Sequence, residues 1–297
     1  MKKYRIINKV KKEKDLKMSI KFTKMQGLGN DFVILDYDEY ERTDMKPDYL
    51  AKRLCDRNFG IGADGLIIVN PNVKNADIGW IFYNSDGSIA QMCGNGMRCF
   101  ARYVYDKEYV DKKEFTVETK AGVIIPKIIS ENEIRVNMGQ PILETEKIPC
   151  LAKENLNIPF KVDDKEFKLN VVSMGNPHCV IFVDDHSKTY AKEYGSKIET
   201  DGLFPEKTNV EFVKILSRES VKIDVWERGC GITLACGTGA CATTVAGILN
   251  GYLDKAVNCH LPGGMLKIEW DGNTKDTAHN VYMSGSATYS FTGHFVI

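Results

Sequence analysis

Short runs of β-branched and aromatic residues dominate the hydrophobic pattern of the chain. Helical periodicity is clearest at residues 47–56 and directly after Cys93 and Cys236, and two further short helices are expected near 146–155 and 188–195. Many short strands with few helices are typical of an α+β fold. The strand-like runs are GLIIV, IGWIFYN, FTVET, GVIIPKII, EIRVNM, HCVIFVD, NVEFVKIL, VKIDVWE, MLKIEW and VYMSGSATYSF.

Two segments of the chain repeat one plan. In YNSDGSIAQMCGNG and in WERGCGITLACGTG, a strand-like run and a loop lead to a Cys-Gly-x-Gly motif, and a helix-like run follows. Asn84 and Glu227 stand nine residues before Cys93 and Cys236, respectively. Upstream, GNDFVILD and GNPHCVIFVD open with the same Gly-Asn pair at nearly the same offset. Matches at one offset predict a duplicated architecture.

The repeat suggests how the chain is divided into domains. We expect an N-terminal extension over residues 1–17, a first domain over 18–137 and a second over 138–285. The last segment, 286–297, has no counterpart at the end of the first half, so it is a candidate strand that returns to the first domain.

Composition excludes several classes of protein. The 297 residues include 40 basic and 40 acidic side chains, and this balance argues against a nucleic-acid footprint over the whole protein. No apolar run approaches the roughly 20 residues of a membrane span, and the Lys-rich N-terminus lacks the apolar core of a secretory signal. None of the nine cysteines forms a C-x-x-C pair, so free thiols in a reducing cytoplasm are expected.

The doubled cysteine motif predicts an acid–base site. At a helix start the first-turn N–H groups lack helical partners, so the thiol pKa should fall and a carboxylate can bind. Glycines at the next positions let the backbone approach a small anion. Two such thiols cannot easily both ionise, which leaves one base and one acid. This pair suits the inversion of an amino-acid α-carbon, where one group removes a proton and another delivers one to the opposite face.

At these residues the chain resembles the diaminopimelate epimerase family, in motifs that run in family order from about residue 20 to 270. The resemblance implies two similar domains, each a mostly antiparallel sheet wrapped around a central helix, with the active site in the cleft between them. It also implies a cofactor-independent homodimer in the cytoplasm that acts on LL-2,6-diaminopimelate in lysine and peptidoglycan biosynthesis. The motifs are KMQGLGNDFVILD, RNFGIGADGL, FYNSDGSIAQMCGNGMRCFARY, RVNMGQP, VSMGNPHCV, FPEKTNVEF, VWERGCGITLACGTGACA and LPGGMLKIEW.

Matching the family motifs residue by residue implies a role for each site position. Cys93 and Cys236 match the two catalytic thiols, and His178 and Glu227 match groups that tune their pKa values. The matches to substrate-binding positions are Asn30, Asn84, Gly94, Asn95, Asn176, Asn209, Glu227, Arg228, Gly237 and Thr238. No metal ligand is implied. Two positions depart from the pattern: some members carry Gln at the position of Gly65, and many carry Glu at that of Ile232.

Four other functions stay open at this point. A proline racemase-like enzyme would use the same fold and thiol pair on a compact ring substrate. A phenazine-biosynthesis-like isomerase shares the fold, although it lacks the paired cysteines. A thiol or metal-binding module could use Cys93, Cys236 and His178, without a sequence-local zinc signature. A pyridoxal phosphate racemase would need a Schiff-base lysine.

Overall fold

The computed structural model describes residues 18–90, 92–184 and 189–297, so the predicted extension over 1–17 lies outside the described residues. The strands are β1 Ser19–Gly27, β2 Asn30–Leu35, β3 Gly65–Asn70, β4 Ile78–Asn84, β5 Val117–Thr119, β6 Gly122–Ile124, β7 Pro126–Ser130, β8 Glu133–Asn137, β9 Ile158–Val162, β10 Lys165–Ser173, β11 Pro177–Phe182, β12 Asn209–Ser217, β13 Ser220–Glu227, β14 Gly231–Ile232, β15 Ala256–Leu261, β16 Gly264–Trp270, β17 Val281–Gly285 and β18 Thr288–Val296. The helices are α1 Tyr37–Glu41, α2 Pro47–Cys55, α3 Gly94–Asp106, α4 Thr189–Glu199 and α5 Gly237–Leu249.

The predicted short helices had different outcomes. The helix α4 starts where one was expected, but the helix expected near 146–155 is wrong, since that segment holds one 3₁₀ turn, Thr145–Lys147. None of the helices in the described ranges is both long and apolar enough to cross a membrane.

The strands form two sheets. The first has seven strands in the order β18-β1-β2-β3-β4-β5-β6. The second has eleven, in the order β7-β8-β17-β16-β15-β13-β12-β11-β10-β9, with β14 paired to β13. Most neighbours are antiparallel, as expected from the sequence.

The parallel pairs reveal the duplication. They are β2–β3 and β4–β5 in the first sheet, and β11–β12 and β13–β15 in the second. In each sheet the second parallel pair is joined by a helix that follows a Cys-Gly-x-Gly motif, α3 in one half and α5 in the other. The predicted α+β fold with two similar halves is therefore confirmed.

In each half, the helix that follows the Cys-Gly-x-Gly motif packs against the inner face of the strands. Phe32 and Ile34 of β2 pack in the core cluster that contains most of the buried side chains of α3, whereas Val33 and Leu35 face α2 on the other side. In the second half α5 is buried on nearly all sides, and α4 covers the outer face. Full burial of each large apolar side chain contributes about 1.5–3 kcal/mol.

Strands are shared between the halves. The strand β8 pairs with β17 of the second sheet, but its Ile134 and Val136 pack in the same cluster as α3. The strand β18 pairs with β1 in the first sheet, with Ser19 opposite Val296. Strand pairing therefore assigns β8 to the second half, whereas side-chain packing assigns it to the first. The domain limits at 137 and 285 stay a prediction.

Candidate active site

Both motif cysteines lie at a helix N-terminus. Cys93 and Cys236 are the N-cap residues of α3 and α5, and both have extended backbone conformations. The first-turn N–H groups of each helix lack helical partners, so each sulfur lies beside the positive end of a helix. The position expected from the Cys-Gly-x-Gly pattern is therefore the one that the fold provides.

The starts of α3 and α5 meet around Met283 of β17. A Cβ built on Gly94 would lie 2.5 Å from Met283 Cε, and one built on Gly237 would lie 3.0 Å from Met283 Sδ. The same built atom on Gly237 lies 3.7 Å from Asn95 Oδ1. Three of the predicted substrate-binding residues, Gly94, Asn95 and Gly237, are thus brought to one place, and the glycines are needed because Met283 fills the gap between the helices.

Amide groups surround Cys93, which is half-buried. Its Sγ lies 3.5 Å from Asn30 Oδ1 and accepts a hydrogen bond from the Gly96 N–H at 3.4 Å. The Asn95 side chain donates to the same Asn30 oxygen at 3.3 Å. Cys93 can therefore donate its proton to an amide oxygen or, as a thiolate, accept from the backbone.

Carboxylates and an imidazole surround Cys236, which is buried. Its Sγ lies 3.5 Å from Thr238 Oγ1. Behind it, His178 Nδ1 lies 2.7 Å from Glu211 Oε1, and both side chains are fully buried. Glu227 accepts a hydrogen bond from the Thr233 hydroxyl.

Burial dominates the pKa of both thiols. Burial raises the pKa of Cys93, and the carboxylate of Glu227 raises it further, against the opposing effects of first-turn N–H groups and Arg98. The pKa of Cys236 is raised well above its usual value by burial and then by Glu227 and Glu211. Burial likewise raises the pKa of Glu227. The expected lowering of thiol pKa at a helix start is therefore wrong here, because loss of hydration outweighs the helix dipole.

Three buried ligand atoms of one cluster could hold a metal ion. The candidate donors of His178, Glu211 and Cys236 all lie within 4.8 Å of one another. Sulfur, nitrogen and carboxylate oxygen are the donors that zinc takes in proteins. Cys93 is outside this group, so the metal-binding alternative does not use the cysteine pair.

Other predicted substrate-binding residues have their polar groups engaged within the protein. Asn84 donates to Ser88 in a local turn. Asn209 donates to Pro177 O at 2.8 Å and accepts from the Arg228 N–H at 2.9 Å.

Asn176 and Arg228, in the second half of the molecule, also contact other protein groups. Asn176 Oδ1 lies 3.1 Å from His178 Nε2. The exposed Arg228 side chain donates to the carbonyl of Glu206.

Packing explains one of the two departures from the family pattern. A Cβ on Gly65 would lie 2.6 Å from Phe82 Cε2 and 2.9 Å from Tyr83 O, so a glutamine would require these neighbours to move. Ile232 is exposed in β14 opposite Trp226, and nothing else in the structure explains it.

Three charged residues near the site did not emerge from the sequence. They are Asp64, Arg98 and Glu211. A buried Glu in the apolar run NVEFVKIL was one available signal, because alternation places Glu211 on the same face of β12 as Asn209. Arg98, fully buried on α3, had no such signal in an amphipathic helix.

Comparison with known proteins identifies the family of the chain. The diaminopimelate epimerase family model matches residues 22–144 and 170–290. The diaminopimelate epimerase of Carboxydothermus hydrogenoformans is 50% identical over 280 residues, covering 94% of this chain and 100% of that relative. That of Halothermothrix orenii is 47% identical over 289 residues, covering 94% of this chain and 99% of that relative.

Solved structures with low identity share the fold. A phenazine biosynthesis protein of the PhzF family from Bacillus anthracis has a TM-score of 0.66 at 13% identity, covering 94% of this chain and 100% of that one. A hydroxyproline epimerase from Agrobacterium vitis, with bound trans-4-hydroxy-L-proline, has a TM-score of 0.66 at 11% identity, covering 95% and 94%. The family model and the close relatives decide between these branches of one fold: the chain belongs to the diaminopimelate epimerase family.

Proposed function

We propose that this chain is an isomerase that converts LL-2,6-diaminopimelate to meso-diaminopimelate without a cofactor, in lysine and peptidoglycan biosynthesis. The observation that carries the proposal is the meeting of two cysteine-capped helix N-termini around Met283. Family membership supplies the substrate.

In this mechanism Cys93 and Cys236 act on opposite faces of the α-carbon. One thiolate takes the α-proton, so the Cα–H bond breaks as an S–H bond forms. The other thiol gives its proton to the opposite face, and its sulfur becomes the thiolate. The α-C–H is a weaker acid than a thiol by more than roughly ten pK units, at about 1.36 kcal/mol each. First-turn N–H groups at both helix starts would hold the carboxylate and stabilise the developing carbanion.

Deuterium incorporation tests the two-thiol mechanism. LL-diaminopimelate incubated in deuterated water should give meso product with deuterium at the inverted carbon, as read by NMR. Cys93→Ala and Cys236→Ala should each lower turnover by about 10²-fold or more, the usual contribution of one acid or base. Cys230→Ala, at an exposed cysteine to which the proposed mechanism gives no role, is the control. Epimerisation at the wild-type rate by the Cys93→Ala enzyme would exclude the mechanism.

The distal end of the substrate separates this function from the proline racemase-like alternative. Arg228 is proposed to bind the distal carboxylate, with the guanidinium leaving the Glu206 carbonyl to form a forked pair, and Glu227 is proposed to bind an ammonium of the substrate. Loss of one partner of such a pair costs about 2–5 kcal/mol, or roughly 30- to 5000-fold in kcat/KM. Arg228→Leu should show this loss, whereas Arg218→Leu, at another exposed arginine, should not. A near-wild-type Arg228→Leu enzyme would favour a compact ring substrate.

The proposal also includes a homodimer, a cytoplasmic location and a site without pyridoxal phosphate or metal. A homodimer follows from the family resemblance, and light scattering of the purified protein measures it directly. A cytoplasmic location is supported by nine unpaired cysteines, which suit a reducing compartment. An absorbance spectrum tests for pyridoxal phosphate. Metal analysis that found stoichiometric zinc in an inactive protein would favour the metal-binding alternative.

A further inference from the structure

Arg98 fixes the orientation of one amide beside Cys93. The guanidinium is fully buried and donates to Ser286 O, Met283 Sδ and Asn95 Oδ1, the last at 3.0 Å. Amide oxygen and nitrogen are alike in shape, but a guanidinium can only donate. Asn95 must therefore direct its oxygen toward Arg98, which leaves its Nδ2 facing the other way.

Asp64 fixes a second amide from the opposite side. Its Oδ2 accepts from Asn30 Nδ2 at 2.6 Å and from the Asp31 N–H at 3.0 Å, while Oδ1 accepts from Arg57 at 2.8 Å. An ionised carboxylate can only accept. Asn30 must therefore direct its Nδ2 toward Asp64, which leaves its oxygen facing away.

The two amides meet at the sulfur of Cys93. Asn95 Nδ2 donates to Asn30 Oδ1 at 3.3 Å, and Cys93 Sγ lies 3.5 Å from the same oxygen. With an obligate donor at one end and an obligate acceptor at the other, each amide between them has one satisfied orientation. Cys93 consequently faces an oxygen, which can accept the thiol proton but cannot donate to a thiolate.

We infer that Arg98 and Asp64 are positioning residues that hold the Asn30 carbonyl oxygen against Cys93, so that this amide favours the thiol over the thiolate. The part that the thiol plays in the reaction rests on the proposed function, whereas the orientation of the amide does not. If Asn30 turned over, its N–H would face the sulfur and stabilise the thiolate instead.

Several other charged and polar groups act on Cys93 from the surrounding elements. On its own helix, Arg98 and the first-turn N–H groups of Asn95 and Gly96 favour the thiolate. From the end of β13, Glu227 favours the protonated thiol. Variants at Asp64 leave all of these groups in place, so they change only the charge of Asp64 and its hydrogen bonds, including the one to the Asn30 amide.

The experiment measures the pH midpoint of Cys93 alkylation in the full-length enzyme. Iodoacetamide labelling is followed by mass spectrometry, with Cys236 as the internal reference. Asp64→Ala removes both the charge and the acceptor, whereas Asp64→Asn removes the charge and keeps an acceptor oxygen. Arg57→Leu is the matched control, because it removes a partner of Asp64 without disturbing the Asn30–Asp64 hydrogen bond.

We expect Asp64→Ala to lower the Cys93 midpoint by about half a pH unit or more, as for loss of one neutral hydrogen bond. Asp64→Asn should shift it much less, and neither variant should move Cys236. Equal shifts in the two Asp64 variants would assign the effect to charge, and unchanged midpoints or a parallel shift of Cys236 would remove the positioning role. Either result overturns the inference. The readout needs no turnover, so failure of the wild-type enzyme to epimerise would overturn only the proposed function.

Discussion

The starts of α3 and α5 share a backbone arrangement but differ in charge. The fifth residue after the capping cysteine is the buried Arg98 in α3 and the buried Cys241 in α5. The third is a glycine in both, yet Gly96 faces the ring of Phe32 while Gly239 faces the carboxylate of Glu211. A cation therefore lies behind one sulfur, and carboxylates lie beside the other.

This difference shows how a duplicated motif can serve a reaction that needs unlike partners. Duplication places Cys93 and Cys236 in equivalent backbone positions, where identical surroundings would give identical thiols. An acid–base pair needs one group that holds its proton and one that releases it. The asymmetry comes from neighbouring side chains such as Arg98 and Glu211, which the repeat did not preserve.

The largest expected effect is at Glu211. Glu211→Gln keeps an acceptor for His178 and removes a negative charge beside Cys236, so the pKa of Cys236 should fall. A unit charge at this range should move the alkylation midpoint of Cys236 by about one to two pH units. Cys93 should not move, and a shared shift would mean that the two surroundings are not independent.

Gly96 and Gly239, which occupy equivalent positions in α3 and α5, should respond differently to substitution by alanine. Gly239→Ala would place a Cβ 2.5 Å from Glu211 Oε1, whereas Gly96→Ala would place one 3.3 Å from Phe32 Cζ. We expect Gly239→Ala to lower the free energy of unfolding by about 1–3 kcal/mol, as for overpacking of a core. Gly96→Ala should change it by less than about 1 kcal/mol, because the better helix propensity of alanine offsets the tighter contact. Urea denaturation measures both, and equal losses would contradict the comparison.

Buried cysteines away from the site should behave alike in the two halves. Burial raises the pKa of Cys99 on α3 and of Cys259 on β15 to about 12 each. A raised pKa favours the folded state below the unfolded thiol pKa near 8.5, and this stability is lost as the pH rises toward 12. The free energy of unfolding of the wild-type protein should fall between pH 9 and pH 10. In Cys99→Ala and in Cys259→Ala this fall should be smaller by up to about 1.4 kcal/mol. Unequal slopes would show that the asymmetry extends beyond the site.

The smallest expected effect is at Arg98. Arg98→Met removes the cation that favours the Cys93 thiolate but leaves Asp64 to hold the Asn30 amide, so the Cys93 alkylation midpoint should rise by about half a unit. Arg102→Met, one turn further along α3 and paired with Asp106, is the control. Thermal melting must first show that the Arg98 variant folds. A fall in the midpoint would mean that hydrogen bonding, rather than charge, is the main contribution of Arg98.

The sequence predicts local features of this molecule well. Cys-Gly-x-Gly before a helix-like run was enough to place Cys93 and Cys236 at helix starts, since the glycines and the run that follows are local signals. The repeat and the α+β class also followed from patterns within short segments. Functional roles for the individual residues remain predictions.

Side-chain partners depended on strand order, which no local pattern contains. The contact of His178 with Glu211 requires β11 and β12 to be parallel neighbours with His178 opposite Asn209. The alternation of β12 could place Glu211 on a face but could not name its partner. The pKa of Cys236 escaped prediction for the same reason, because burial depends on how the two halves close around it.

The pairing of β18 with β1 has a consequence for synthesis of the protein on the ribosome. The strand β1 is translated before the other strands of the two sheets, but its neighbour β18 is translated after all of them. The first sheet therefore cannot gain its outer strand during most of translation, and the nascent chain carries an open β-sheet edge until then. An exposed edge is a template for pairing with other chains. Slow or interrupted translation of residues 288–296 should consequently favour aggregation of a chain in which both Cys-Gly-x-Gly motifs have already been synthesised.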